Sequence, residues 1–345
     1  MGKTKKTEDV VSVTSLFEIY DPLDVKPEIA NKLHEEGYTD LIQIAKTDPV
    51  ELSKTLNISL KKAEEIINLA ENNAEVSFET ANESFKEKTN NKRYKTSSDV
   101  INHLLNGGVK EGEITEIYGS PQAGRSFFCS DLLVNYYKDN PDLKSVYLAT
   151  GEVFNREVLE NMTKSKKIKY EDLLNSILYK KVLDSKELKI VFKALLKKVR
   201  KEKKIKLIIL NNVVQLFKSE FGYTINDQNQ KRKNMAETMI QLQNLAAENI
   251  CVIFVNDLAK PLKGNIKKGK HLITIESKKP EIQESSYSDL INRFVNCKLL
   301  INDCKDSTKI KALEVVKPRV HSTLAKAFFK ITSNSLSNLN KGDVK

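Results

Sequence analysis

The sequence predicts an α/β protein, in which a core built on a central, mostly parallel sheet follows a small all-helical domain. Apolar residues between Pro27 and Ala74 recur at helical spacing. From Thr96 onward, short apolar runs rich in β-branched residues alternate with helical stretches, as in a sheet with buried parallel strands. A glycine-containing loop, residues 119–126, joins one of these strands to a helix.

The composition bounds the class of protein. The chain has 345 residues, 40% of them hydrophobic and 30% charged, which suggests two domains that bury a core. No apolar run approaches the ~18 residues that cross a bilayer, and the basic N-terminus lacks the apolar core of a secretory signal. We therefore expect a cytoplasmic protein without a membrane partner. The net charge of +11 favours a polyanionic partner, and the four cysteines, without a CxxC pair, predict core residues and no zinc site.

The helical domain contains a turn, Leu56-Asn57-Ile58-Ser59, with the hydrophobic, left-handed-tolerant, hydrophobic order of a helix-hairpin-helix unit. Ser59 can cap the helix that follows. Such a hairpin offers backbone amides to a DNA phosphate, and a packing or protein-contact bundle is the alternative. The predicted boundaries are flexible tails at 1–13 and 335–345, a helix-hairpin-helix domain at 14–74, a linker at 75–93 and the core at 94–334.

Five apolar runs predict the strands of the parallel part of the sheet, at 114–118, 145–149, 206–210, 250–255 and 298–301. Two later runs have no helix between them and predict antiparallel strands that extend the sheet, at 310–316 and 327–332. Two helices are predicted between the strands, one at 187–203 with Ser185 as its cap and one at 234–248.

The loop at 119–126 predicts a phosphate-binding site, because it follows a strand and opens a helix. In a working loop the backbone amides face the β-phosphate, a lysine neutralises the transferred phosphoryl group, and Ser or Thr holds magnesium. Here Arg125 stands at the lysine position and Ser126 at the magnesium position. We expect the planar guanidinium to attract phosphate but to misplace charge in the transition state; a strand-to-helix turn without a ligand is the alternative. The candidate nucleotide-binding residues are Gly119, Gln122, Ala123, Gly124, Arg125, Ser126 and Asn211.

Two further positions argue against efficient ATP hydrolysis. Asn211 ends an apolar strand where a nucleotide-hydrolysing enzyme places an Asp to orient magnesium and its water. A third carboxylate is also displaced, since Glu152 follows the expected position, Gly151, by one residue. All three changes act on phosphoryl transfer, so we expect little ATPase activity and assign no catalytic residue beyond the displaced candidate Glu152. ATP and magnesium remain the candidate cofactors.

These residues resemble those of a known family. Over nearly its full length the chain is similar to the RadA recombinases of archaea and their eukaryotic strand-exchange counterparts, within the RecA-like ATPases. The segments that carry the resemblance include GYTDLIQIAKTDPVELSKTLNISLKKAEEII, FETANE, LLNGGVKEGEITEIYG, GSPQAGRS, YLATGEVFNREVL, LIILNN, QLQNLA and AFFKIT. The resemblance implies a RecA-like core in a divergent paralogue with degenerate phosphate-loop and strand-end motifs.

The resemblance also implies partners. In that family a Phe-x-x-Ala element docks onto the neighbouring subunit and adds a strand to its sheet, which points to Phe78 and Ala81. Two loops of the family's core grip single-stranded DNA, and they correspond to stretches within 218–233 and 259–288. No aromatic residue lies in the basic part of the second stretch, so we expect mainly electrostatic contact. The candidate DNA-binding residues are Lys218, Lys231, Arg232, Lys233, Lys260, Lys263, Lys267, Lys268 and Lys270.

Two departures from the family concern the nucleotide. Val255-Asn256-Asp257 stands where the family has a Thr-Asn-Gln run, and an acidic Asp257 would couple poorly to a γ-phosphate. Lys317 stands in a segment where the family has an Asp that caps a neighbour's nucleotide. Lys317 is therefore a candidate to reach phosphates across a subunit boundary.

The sequence thus predicts a divergent RadA-like protein of recombination and repair that binds DNA, forms filaments and hydrolyses ATP weakly or not at all, with nucleotide as a structural ligand. The expected partners are single-stranded DNA, with double-stranded DNA as a further candidate, and either a second copy in a filament or ring or a RadA-type recombinase. Two alternatives stay open: an active ATP-dependent strand-exchange recombinase, and a structural filament protein that does not bind DNA.

Overall fold

The structure, a computed structural model, describes residues 19–74, 80–83, 90–151, 155–259, 264–268, 271–275, 284–304, 307–317 and 326–339. The chain divides into two compact units, residues 1–85 and 86–345. No helix among these described residues is both long and apolar enough to cross a bilayer.

The first unit is a bundle of short helices. After a 3-10 turn at Asp21–Leu23 come α1 (Pro27–Glu35), α2 (Leu41–Ala45), α3 (Pro49–Leu56) and α4 (Leu60–Asn73). Asn57 ends α3 in the left-handed region, with φ 54°, and Ser59 Oγ accepts the Lys62 amide at 3.2 Å as the cap of α4. The left-handed Asn57 and the cap at Ser59 are therefore as predicted, and the assignment of residues 14–74 as a helix-hairpin-helix domain stays a prediction. The apolar faces of the helices in this unit pack together and bury Leu33, Leu52 and Ile66 completely.

The second unit begins with β1 (Arg93–Tyr94), α5 (Asp99–Leu104), β2 (Val109–Lys110), β3 (Ile114–Gly119), α6 (Arg125–Asp139), β4 (Lys144–Ala149), α7 (Arg156–Ser165), α8 (Tyr170–Ser176) and β5 (Ile177–Lys181). It continues with α9 (Ser185–Lys201), β6 (Ile205–Asn211), α10 (Val213–Glu220), α11 (Ile225–Ala247), β7 (Cys251–Asp257), β8 (Gly264–Lys268), β9 (His271–Ile275) and α12 (Ser288–Ile291). The last elements are β10 (Cys297–Cys304), β11 (Ser307–Lys317), β12 (Lys326–Ile331) and β13 (Leu336–Asn338).

One nine-stranded sheet organises this unit, in the order β13-β12-β11-β10-β3-β7-β6-β4-β5. The strands from β10 to β5 are parallel, and β11, β12 and β13 add antiparallel pairs beyond β10. This confirms the predicted fold class, a mostly parallel sheet with antiparallel strands at one end. Two short hairpin-like pairs, β1 with β2 and β8 with β9, lie outside the main sheet.

Helices cover both faces of the sheet. One face packs against α5, α6, α7 and α8, with buried side chains that include Ile101, Phe128, Leu132, Met162 and Leu173. The opposite face packs against α9, α10 and α11, with Phe192, Phe217 and Met239 among its buried residues. Every residue of β3 is buried, as expected for a central strand covered on both sides.

Three local features differ from the sequence-based expectations. The cap of α9 is Asp184, whose Oδ1 accepts the Glu187 amide at 2.8 Å, and Ser185 is already helical. The helix expected at 234–248 begins at Ile225, so much of the stretch expected as a first DNA loop is helical. Strand β13 forms inside the segment expected as a C-terminal tail, where Asn338 accepts a hydrogen bond from Ser98 Oγ at 2.9 Å.

The two ends of the sheet are unlike each other. Strand β5 pairs with β4 and, among the described strands, with no other. Its burial falls quickly along the strand, from Ile177 to the exposed Tyr179, Lys180 and Lys181. The opposite end is the three-residue β13, held against α5 through Asn338. Among the described strands, β5 is therefore an edge strand of the sheet that pairs on one side, with β4.

Candidate phosphate-binding site

The candidate site lies where the carboxyl ends of β3, β7, β6 and β4 meet. Gly119 of β3 aligns with Asp257 of β7, and Asn211 of β6 aligns with Val255 on one side and Ala149 on the other. In parallel α/β sheets this edge is the usual location of ligands. The loop of residues 120–124, which joins β3 to α6, lies at the same edge.

The backbone of the loop depends on two glycines. A Cβ on Gly119 would lie 2.2 Å from the carbonyl oxygen of Ile301, so the close approach of β10 requires glycine there. Gly124 has φ +105°, and a Cβ on it would lie 2.3 Å from Ile331 Cδ1. Helix α6 starts directly afterwards, with the Phe128 amide donating to Gly124 O at 2.9 Å. The amides before Phe128 stand at a helix N-terminus, which favours an anion.

Arg125, the first residue of α6, forms an ion pair inside the site. Its Nη1 lies 2.8 Å from Asp257 Oδ1 and also donates to the carbonyl oxygen of Asn256. Both side chains of the pair are 13% exposed. The arginine that stands at the position of the phosphate-loop lysine is thus directed to the end of β7.

Asp257 collects hydrogen bonds from three other side chains. Asn212 Nδ2 donates to Oδ1 at 2.7 Å, while Gln215 Nε2 at 2.5 Å and Lys218 Nζ at 3.2 Å donate to Oδ2. Burial alone would raise the pKa of the Asp257 carboxyl, but the bonds from Arg125 and Asn212 and the charge of Lys218 outweigh it. The pKa therefore lies below its usual value, and the carboxylate is fully charged at neutral pH.

The end of β6 carries no charge. Asn211 Nδ2 donates to Tyr147 Oη at 2.7 Å and lies 3.4 Å from Ser126 Oγ. Its amide thus touches the predicted magnesium residue, but as a neutral donor it cannot replace the Asp that orients a metal-bound water. Thr150, which directly follows β4, is also hydrogen-bonded: its Oγ1 donates to Asn212 O at 2.7 Å. Glu152, the displaced base candidate, lies outside the described residues.

A buried charged pair lies beneath the site. Glu116 of β3 is fully buried and Lys298 of β10 is 2% exposed, with Lys298 Nζ 3.4 Å from Glu116 Oε2. Burial raises the pKa of Glu116 despite the neighbouring ammonium. Asn256 Nδ2 donates to Glu116 Oε1 at 2.7 Å. The buried glutamate therefore fixes the side chain of the residue that precedes Asp257.

Lys317 lies away from the loop, at the end of β11. Its Nζ donates to the carbonyl oxygens of Asn292 at 2.7 Å and Val295 at 2.6 Å, within its own chain. A different lysine reaches the loop: Lys311 Nζ lies 3.5 Å from Gln122 O and pairs with Asp303. The structure therefore brings together Gly119, Gln122, Ala123, Gly124, Arg125, Ser126 and Asn211, and leaves Lys317 outside this group.

The site fits phosphate better than it fits a metal. The loop and the N-terminus of α6 present backbone amides and the positive end of a helix dipole to an anion. No cluster of three or more His, Cys, Asp or Glu side chains that could hold a metal ion occurs in the described part of the chain.

The predicted DNA-binding residues fall into separate groups. Lys218 pairs with Asp257, and Arg232 pairs with Asp289 at 2.5 Å on the surface. Lys233 is exposed, whereas Lys231 is 3% exposed and donates to Gly222 O at 2.8 Å, so its ammonium is used inside the fold. The backbone of Lys267 and Lys268 belongs to β8, part of a hairpin where the sequence suggested an irregular loop. Lys260, Lys263 and Lys270 lie outside the described residues.

The assembly element is described in part. Ala81 lies in a helical turn at residues 81–83 and is exposed. Phe78 lies outside the described residues. Leu183, two residues after β5, is 68% exposed, and Ile190 of the following helix α9 is 67% exposed.

Sequence reasoning missed Asn212 and Gln215 as partners of Asp257. Asn212 follows the β6 strand end directly, so the meeting of parallel strand ends could have placed it beside Asp257. Gln215 lies on the first turn of α10, and its approach depends on the path of the chain after β6. No sequence pattern gives that path.

Comparisons with known proteins agree with this architecture. The family model described as Rad51 matches residues 88–282, more than half of the chain. The DNA repair and recombination protein RadA of Aeropyrum pernix is 29% identical over 250 residues, covering 71% of this chain and 78% of that protein. The protein of the same description from Metallosphaera sedula is 25% identical over 235 residues, covering 67% and 70%.

Proposed function

The chain belongs to the Rad51 family, and from that premise we propose that it is a DNA-binding, self-assembling protein of recombination and repair with little or no ATP hydrolysis. Relatives described as DNA repair and recombination proteins support the process. One observation carries the weak-hydrolysis part: the cation of the phosphate loop is ion-paired to Asp257 while Asn211 brings no negative charge to the end of β6.

In this proposal the residues of the site bind and orient a nucleotide but do not drive phosphoryl transfer. The amides of the loop and α6 hold phosphate, and magnesium bound with the nucleotide would neutralise part of its charge. Arg125 is withheld from the phosphates by Asp257, so it cannot stabilise the charge that spreads over the transferred group. Asn211 keeps Tyr147 and Ser126 in place. The nucleotide then serves as a structural ligand.

DNA binding is proposed for the exposed cations on α10 and α11 and for the lysine-rich stretch that contains β8. Lys218 and Arg232 are held in position by Asp257 and Asp289, and Lys233 projects from the same helical region. The net charge of +11 supports attraction to a polyanion. Contacts to phosphates by such side chains give affinity without reading base sequence.

Self-assembly is proposed to occur through Phe78 and Ala81, which would add a strand at the β5 edge of a second copy or of a related recombinase. Strand addition needs an edge with free backbone groups and nearby pockets for anchoring side chains. Two observations support β5 as the acceptor: it is an edge strand among the described strands, and the exposed apolar residues Leu183 and Ile190 follow it in the chain.

The test measures DNA binding and ATP hydrolysis on the same preparation. Binding to a single-stranded oligonucleotide should weaken steeply with salt, because each neutralised phosphate contributes about −0.7 to the slope of log K against log salt. DNA-stimulated phosphate release should equal that of Arg125→Ala. Absence of DNA binding at low salt would favour the structural-filament alternative, and phosphate release clearly above the Arg125→Ala level would favour the active recombinase.

A further inference from the structure

We propose that this site takes a nucleoside diphosphate in preference to a nucleoside triphosphate, because Asp257 already occupies the arginine that a third phosphate would need. The inference rests on the proposed function, since it names the ligand class of the same phosphate loop. It assigns Asp257 the role of a residue that determines specificity.

The first step concerns the cation. The guanidinium of Arg125 gives Nη1 to Asp257 Oδ1 at 2.8 Å and to the carbonyl oxygen of Asn256. Both charged side chains are only 13% exposed. Separating such a pair leaves two charges with little solvent to compensate, which is strongly unfavourable. Arg125 is therefore bound to its own chain before any ligand arrives.

The second step concerns the anion. Asp257 does not depend on Arg125 alone, because Asn212, Gln215 and Lys218 also donate to it, at 2.7, 2.5 and 3.2 Å. Oδ1 accepts from Asn212 as well as from Arg125, and Oδ2 accepts from Gln215 and Lys218. If a ligand drew Arg125 away, the carboxylate would keep its position and its negative charge. The carboxyl end of β7 is thus a fixed anionic point beside the loop.

The third step concerns what is left for a ligand. The amides at the N-terminus of α6 and the backbone of the loop stay available to one terminal phosphate. Lys311 Nζ lies 3.5 Å from Gln122 O but is paired with Asp303, so the backbone amides are the main groups that remain for a phosphate. A diphosphate ends on these groups. A third phosphate would bring further negative charge toward a carboxylate that does not move, and like charges at short range repel strongly in a partly buried site.

The experiment titrates the full chain with MgADP and with MgATP by isothermal titration calorimetry. We expect ADP to bind at least about tenfold more tightly than ATP. Asp257→Asn keeps the size and shape of the side chain and one accepting oxygen, but it removes the negative charge and one acceptor and so weakens the hold on Arg125. In that variant the affinity for ATP should rise at least about tenfold, while the affinity for ADP changes less than about threefold.

A matched control makes the same Asp-to-Asn change at an exposed carboxylate on the helix that begins with Arg125. Asp139→Asn, in the exposed last turn of α6, should leave the ratio of the two affinities unaltered. Wild-type protein provides a second readout that needs no variant, since inorganic pyrophosphate should bind more tightly than tripolyphosphate. These polyphosphate probes keep the test decisive if Asp257→Asn fails to fold.

The other possible outcomes overturn either this inference alone or this inference together with the nucleotide part of the proposed function. ADP binding with equal or tighter ATP binding in the wild type, or an unchanged ratio in a folded Asp257→Asn variant, overturns this inference and leaves the proposed function intact. Binding of neither nucleotide nor polyphosphate overturns both the inference and the nucleotide part of the proposed function. Salt-dependent DNA binding and assembly are measured separately and are untouched by these results.

Discussion

At the scale of single residues, basic side chains at neighbouring positions have different roles. Lys231, Arg232 and Lys233 follow one another on α11, and their charge alone suggests a shared role. Lys231 is buried, donates to Gly222 O and lies 5.1 Å from the ring centroid of Tyr223, so it fastens the start of α11 to the preceding turn. Lys233 is exposed and available to a polyanion.

This difference predicts opposite effects of two alanine substitutions. Lys231→Ala should lower the free energy of unfolding by about 1–2 kcal/mol, because the hydrogen bond from the buried ammonium to Gly222 O is lost, and should leave the salt slope of DNA binding unchanged. Lys233→Ala should leave stability unchanged and reduce the slope by about 0.7. Chemical denaturation and fluorescence anisotropy at several salt concentrations check the pair. A lower slope in a fully stable Lys231→Ala protein would contradict the assignment.

The residue scale also shows what sequence could predict about the site. The loop and the neutral Asn211 followed from motif and strand context, since local sequence specifies a strand, a tight turn and a helix start. The Arg125–Asp257 ion pair joins residues 132 positions apart in the chain. The pair forms because β3 and β7 are neighbours in the sheet. The periodicity of apolar residues predicts where strands occur in the chain but not their order in the sheet.

At the scale of secondary-structure elements, apolar periodicity explains both the successes and the omissions. The buried strands β3, β4, β6 and β7 were predictable because sheets covered on both faces need continuous apolar runs. Strand β5 was missed because only Ile177 is buried and its second half is polar. The beginning of α11 was missed because its first turns are solvent-facing, although Thr224 and Asp227 form a capping box that marks the start.

The assembly element gives a prediction at this scale. Phe78→Glu should convert filaments or rings into monomers, because burying a charged side chain in the proposed apolar contact with a second copy is strongly unfavourable. Phe85→Glu is a matched control, with the same change in the same linker but outside the Phe-x-x-Ala spacing. Analytical ultracentrifugation measures both. Unchanged sedimentation of Phe78→Glu, or an equal loss of assembly in Phe85→Glu, would refute the role given to Phe78.

At the scale of the whole molecule, the Asp257 network connects the proposed nucleotide site with the helices proposed to bind DNA. Lys218 of α10 is held at the end of β7 by a carboxylate of the chain itself. A ligand shifts a conformational equilibrium only through contacts that differ between the two states. Since an internal carboxylate can make this contact with or without nucleotide, we expect α10 and α11 to respond little to the nucleotide.

We therefore predict that nucleotide scarcely changes DNA affinity. The dissociation constant for a single-stranded oligonucleotide should differ less than about threefold between the nucleotide-free protein and protein saturated with MgADP or MgATP. Anisotropy titrations at fixed salt measure the three constants. Asp257→Ala, which removes the anchor of Lys218, should weaken DNA binding in all three states. A tenfold gain in affinity on adding MgATP would show that the γ-phosphate is sensed after all.

The unequal ends of the nine-stranded sheet have a consequence for any polymer of this chain. A donor strand from one copy and the β5 edge of another are different surfaces, so the contact is directional and cannot satisfy two copies mutually, as a twofold dimer does. If β5 is the acceptor as proposed, each open filament keeps one vacant acceptor at one terminus and one unused donor at the other, whereas a closed ring keeps neither. Growth and disassembly are thereby separable events, and a short peptide that mimics the donor would block one terminus only.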